Sequence, residues 1–189
     1  AEGDTIYLEE VLTASRNQIG ETKINSKGEF EFEGVTGIPT FYLLKLSEGN
    51  FIYLLIDSAE TVTVQADAAN FYREYHVEGS LGSEQVKELD IKLKNTRHKL
   101  DSLQSLHNLY NGNPDYDDAR PKWSQQYEEI VQEQIQFSTK FVQENPFAMA
   151  SVLALYQKFD PADQDYIIKD LQVMRTAASA LNSIYQFTH

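Results

Sequence analysis

The pattern of apolar and polar positions changes period once along this chain. Up to about residue 80 it follows the two-residue period of strands. Ile6-Tyr7-Leu8 opens it, and Gly28-Glu29-Phe30-Glu31-Phe32-Glu33-Gly34 then places phenylalanines on one face and glutamates on the other. That alternation predicts a half-buried antiparallel strand bounded by its glycines. Asn25-Ser26-Lys27-Gly28 has turn chemistry, so a hairpin with a strand over Glu21–Ile24 is expected. Phe41-Tyr42-Leu43-Leu44-Lys45-Leu46 and Phe51-Ile52-Tyr53-Leu54-Leu55-Ile56 flank the turn Ser47-Glu48-Gly49-Asn50 and read as strand, turn, strand. Thr61-Val62-Thr63-Val64-Gln65-Ala66 resumes plain alternation, and Tyr75-His76-Val77-Glu78 reads as a last strand. Short strands at this spacing predict an antiparallel β-sandwich or partial barrel over residues 1–80.

Beyond Gly79-Ser80-Leu81-Gly82-Ser83 the period lengthens. Val86, Leu89, Leu93, Thr96, Leu100, Leu103, His107 and Tyr110 recur at alternating spacings of three and four, a heptad stripe. Ser83 is the expected N-cap with Glu84 in the first turn, and Asn111-Gly112-Asn113-Pro114 supplies the stop. A second helix is expected to start near Pro121, where a missing N–H costs nothing, with Trp123, Tyr127, Ile130, Gln134, Phe137 and Phe141 as its stripe. The two fold back as a long antiparallel hairpin over about residues 83–145. Burying each large apolar side chain is worth ~1.5–3 kcal/mol, whereas an exposed ion pair one turn apart is worth ~0.2–0.5 kcal/mol. The stripes therefore decide the pairing. Asn145-Pro146 breaks the second helix, and shorter helices are expected over about 147–185. One runs from Phe147 to Phe159; the next starts at Asp160-Pro161 and carries Ile167, Leu171 and Met174. The last dozen residues are weakly patterned, a helix or a tail. The fold class is α+β, an antiparallel β domain over 1–80 followed by a helical region over 81–189.

Composition narrows the function classes. With 41% apolar and 12% aromatic residues in 189, the chain has enough to build a core, and the composition argues against disorder. No run approaches the ~18 apolar residues of a membrane helix, so no membrane insertion by this chain is expected. Ala1-Glu2-Gly3-Asp4 has neither the basic start nor the apolar stretch of an export signal, although a processed one leaves no trace. The net charge of −13, with 29 acidic and 16 basic residues interspersed, argues against nucleic acid and anionic membrane surfaces as partners. The absence of cysteine excludes disulfides and thiolate chemistry in this chain and leaves its redox compartment open.

No catalytic, cofactor-binding or metal-binding constellation emerges. The acidic loop Asn111–Asp118 lacks the glycine and bidentate glutamate of a calcium loop in either register. Gly79–Ser83 has no lysine after its glycines, so it is no phosphate cradle. His98 and His107 stand nine apart on one helix, too far to share a metal, and no Gly-x-Ser-x-Gly elbow occurs. Glu29, Glu31 and Glu33 on alternate strand positions read as a solvated face. The strands Phe41–Leu46 and Phe51–Ile56 are apolar on both sides. If Tyr42, Leu44, Leu46, Ile52, Leu54 and Ile56 face the core, then Phe41, Leu43, Phe51, Tyr53 and Leu55 form a second apolar face. This is the candidate docking face, covered by the chain's own helices or by a partner.

Five segments follow in order: Gly3-Asp4-Thr5-Ile6-Tyr7-Leu8, Ile24–Gly34, Pro39-Thr40-Phe41-Tyr42-Leu43, Thr61-Val62-Thr63-Val64 and Val77-Glu78-Gly79-Ser80. Together they resemble a domain of unknown function that precedes thioredoxin-like domains in cell-envelope thiol–disulfide oxidoreductases of Bacteroidetes. The helical half, including Phe141-Val142-Gln143-Glu144-Asn145-Pro146, resembles the spacer of those proteins. Glu21-Thr22 stands where that pattern has an Asp-Ser pair. The resemblance implies a periplasmic or cell-envelope location in a Gram-negative bacterium and no cofactor. It also implies, as partner, a downstream thioredoxin-like domain or a client protein, with a homodimer among the assemblies it allows. The Cys-x-x-Cys chemistry of such proteins lies in the domain that follows, so no catalytic residue carries over. A free-standing β-sandwich that binds a ligand or glycan through surface aromatics is the second expectation.

Overall fold

Aromatic and β-branched residues at alternate positions build the first half of the chain into sheet. The computed structural model describes residues 3–185. Strands β1 (Thr5–Val11) and β2 (Arg16–Lys23) form one hairpin, β3 (Thr40–Ser47) and β4 (Asn50–Ile56) another. All four lie in one antiparallel sheet of order β2-β1-β3-β4. Gly49, at φ +77°, makes the left-handed step of the β3–β4 turn, where the sequence places it. Strands β5 (Thr63–Ala66) and β6 (Tyr75–Glu78) pair antiparallel as a separate two-stranded sheet. Neither sheet closes into a barrel. The larger sheet is nonetheless coiled. The guanidinium of Arg16, on edge strand β2, sits 5.6 Å from the ring centre of Phe51 on the opposite edge strand β4.

The Glu/Phe segment departs from its expected strand. Its turn forms as read, with Asn25 Oδ1 accepting from the N–H of Lys27 and of Glu29, and Gly28 at φ +82°. The Asn25 N–H reaches the Glu29 carbonyl, and residues 29–36 then leave the ladder. β2 pairs with β1 instead. The cause is Gly20: a Phe32 ring carbon lies 3.0 Å from where its Cβ would stand. The segment thus lays its phenylalanines over the sheet face at a residue without a side chain, rather than along the edge. The alternation still sorts burial, since Phe30 and Phe32 are half-buried and Glu29, Glu31 and Glu33 exposed.

Packing divides the chain into Ala1–Asp90 and Ile91–His189. The change from strand to helix falls at 80/81, but the first turns of α1 (Leu81–Tyr110) belong with the sheets. Ser80, not Ser83, is the N-cap: its Oγ accepts from Ser83 N–H at 3.2 Å and its carbonyl accepts from Glu84 N–H. The Ser83 hydroxyl goes elsewhere, as described below.

In the second unit, α2 (Tyr116–Glu144) starts before Pro121, which lies inside the helix. Asp117 and Asp118 occupy its first turn, where the helix dipole favours acids. Side chains link α1 to α2 from Lys92, over the Phe137 ring, to Tyr110, against Trp123. Between them runs a buried polar chain: Thr96 Oγ1 donates to Gln134 Oε1 at 2.7 Å, and Gln134 Nε2 donates to Ser138 Oγ at 3.0 Å. Helices α3 (Ala150–Tyr156) and α4 (Leu171–Ile184) both pack on α2. Asp160-Pro161 opens a turn rather than a helix, with Ala162 N–H donating to Asp160 Oδ1 at 2.8 Å. Ile167 and Ile168 are both buried and Ile167 N–H donates to the Gln157 carbonyl. Residues 167–170 are not helical, and α4 starts only after Asp170, whose Oδ1 caps Gln172 N–H. The last dozen residues are helical as far as Ile184, and residues 186–189 lie outside the described residues.

Candidate functional site

The apolar second face is built by register. Phe41 stands opposite Leu55, Leu43 opposite Tyr53, and Lys45 opposite Phe51, with Tyr7 and Glu9 of β1 continuing the rows. These five residues share a face, but they are not equally available. Leu43 and Leu55 are buried at 0% and 3% exposure, whereas Phe41, Phe51 and Tyr53 are half-buried. Of the five, Phe41, Phe51 and Tyr53 keep exposed surface.

The chain's own helix covers Leu55. A Cβ on Gly82, in the first turn of α1, would stand 2.9 Å from Leu55 Cγ and 3.0 Å from its carbonyl oxygen. Glycine is required there because helix and strand touch. The contact is fixed by hydroxyls: Ser83 Oγ accepts from Leu55 N–H at 3.0 Å and donates to the Leu55 carbonyl at 2.9 Å, and Ser80 Oγ donates to the same carbonyl at 2.8 Å. β4 is an edge strand, and these serines take the place of a fifth strand at Leu55.

What remains open is aromatic. Phe51 and Tyr53 meet edge to face at 5.5 Å, with the Arg16 guanidinium over Phe51. Beside them Glu9, only 7% exposed, pairs with Lys45, which also reaches Glu48 at 3.1 Å and lies over the Tyr7 ring. Hydrogen bonding to Glu9 first, and to Glu48 second, holds the Lys45 ammonium above its ordinary value of 10.5.

The other constellations stay dispersed. Gln65, Ala66, Asp67, Glu74, Tyr75 and His76 line an open hollow on the small sheet. Burial, and secondarily the Asp90 charge, pushes the Tyr75 phenol far above its usual 10.0, so it stays protonated. His76 pairs with Glu78 at 2.8 Å on the surface. His107 Nε2 meets the Tyr116 hydroxyl at 2.6 Å, within an aromatic group completed by Tyr110 and Trp123. In the acidic loop, Asn113 Oδ1 accepts from Asp115 N–H and so forms a turn. Among the described residues no group of three or more His, Cys, Asp or Glu is placed to hold a metal ion, and no helix is long and apolar enough to cross a membrane.

Sequence reasoning missed the Ser80–Gly82–Ser83 clamp. Its signal was present in a glycine placed inside a helical pattern, which marks close approach to another backbone. The fold and this site define a mixed α+β protein with a partly covered aromatic sheet face. Comparison with protein-family models, curated proteins and solved structures finds no match to this chain.

Proposed function

We propose that this chain is a non-catalytic accessory module of an exported thioredoxin-like thiol–disulfide oxidoreductase, holding the catalytic domain or a client protein in place. The observation that carries the reading is the order of the five segments from Gly3-Asp4-Thr5-Ile6-Tyr7-Leu8 to Val77-Glu78-Gly79-Ser80, followed by the helical spacer. In this reading the strands form an incomplete sandwich, α1 and α2 form the spacer hairpin, and the location is the periplasm or cell envelope. The half-buried Phe41, Phe51 and Tyr53 supply the contact surface, as aromatic residues do at protein interfaces.

The intact mass and sequence of the polypeptide made in its own cell test this. A larger product carrying a thioredoxin-sized domain with Cys-x-x-Cys is expected; a product without one overturns the proposal. A glycan-binding reading is favoured by one observation, the half-buried Phe51–Tyr53 aromatic pair on β4. Retention on glycan affinity gel, abolished by Tyr53→Ala, would select it.

A further inference from the structure

The two edges of the larger sheet are treated differently by the chain. At Leu55 the β4 edge is closed by Ser80 and Ser83. Among the described residues, the outer edge of β2 receives no backbone or side-chain hydrogen bond at all. Alternation from the Leu12–Ser15 and Asp4–Ile24 hydrogen bonds, across the bulge at Leu8/Glu9, turns the N–H and C=O of Arg16, Gln18, Glu21 and Lys23 away from β1. All four residues are exposed. An open row of donors and acceptors on an edge strand is a template for another strand.

We propose that this edge pairs with the β2 edge of a second copy, antiparallel about a two-fold axis, to make one sheet of eight strands. The charges select this occupant. Pairing Arg16 with Glu21 of the second copy repeats by symmetry, giving two cross-strand ion pairs with Asn17 opposite Gly20 between them. A shift by two residues sets Arg16 against Lys23, like against like, so the register is specified. Glu21 accepts only from the exposed Gln18 side chain within its own chain, at 3.2 Å, and the exposed Arg16 exchanges its contact with the Phe51 ring for the second copy's Glu21 on pairing. This dimer stands independently of the oxidoreductase reading: a monomer would remove it and leave that reading in place.

Sedimentation velocity on the whole chain, from about 1 to about 200 µM, tests it across the range of a weak to moderate dimer. A monomer–dimer equilibrium is expected. Arg16→Glu or Glu21→Arg alone should weaken it about tenfold or more, because two attractions become two repulsions. The double swap Arg16→Glu/Glu21→Arg should restore it. Gln18→Pro should abolish it while leaving the circular dichroism unchanged, since that N–H makes no bond to β1. A chain that stays monomeric, or a dimer indifferent to both charge swaps, overturns the proposal; if the proline variant fails to fold, the swaps still decide.

Discussion

Ser83→Ala removes one oxygen and tests how the sheet edge is finished. The Ser83 side chain is fully buried and makes two bonds, both to Leu55. Without it the Leu55 carbonyl keeps Ser80, but the Leu55 N–H loses its partner in a place water does not reach. An orphaned buried amide costs ~1–3 kcal/mol, and alanine's better helix propensity returns only a few tenths. Ser80→Ala removes a helix cap worth ~0.5–2 kcal/mol while the Leu55 carbonyl keeps Ser83. Each serine thus covers for the other at that carbonyl. The double variant should exceed the sum of the singles by a further ~1–3 kcal/mol, the coupling expected of shared partners. Urea unfolding of the four proteins measures the cycle, and amide exchange at Leu55 locates it. A Ser83→Ala variant within about 0.3 kcal/mol of the parent, with Leu55 exchanging no faster, would refute the clamp.

The remaining expectations are simpler. Gly79→Ala should prevent the β6–α1 junction from forming, since Gly79 is at φ +88° and a Cβ would stand 2.0 Å from the Thr61 carbonyl oxygen; loss of soluble expression or of a cooperative melt would show it. Leu93→Asp places a charge where the side chain is 6% exposed, so helical circular dichroism and melting of the second unit should both fall; an unchanged melt would rule out the stripe as its core. Lys45 contributes stability below pH 10.5 that is lost as pH rises through its raised native value. Alkaline melts of the parent should therefore drop more steeply than those of Lys45→Met, and parallel curves would contradict the pairing with Glu9.

Some of the fold was legible because short-range chemistry dictates it. The β3–β4 hairpin follows from two apolar runs around a Gly49 turn, and α1 and most of α2 from stripes too long for strands. Local signals misled where two sites competed for one role. Ser83 read as the cap, and only the contact with Leu55 shows that Ser80 serves the helix and Ser83 the strand. Asp160 read as the cap of the last helix, but its side chain closes a turn and Asp170 caps α4. That β3 and β4 carry apolar residues on both sides is written in their sequence, but which members of the candidate face stay reachable is not. Leu55 vanishes under α1 while Tyr53, two residues away, remains half open.

The sequence by itself determined the order of strands then helices, the alternation that sorts phenylalanine from glutamate, and the absence of thiol chemistry, because these rest on spacing and residue type. Tertiary structure decided that the Glu/Phe segment crosses the sheet at Gly20, that serines finish the β4 edge, and that the β2 edge is left bare. Those outcomes depend on which surfaces meet across long stretches of chain. A hydroxyl or a missing Cβ acquires its role only when a second backbone arrives beside it.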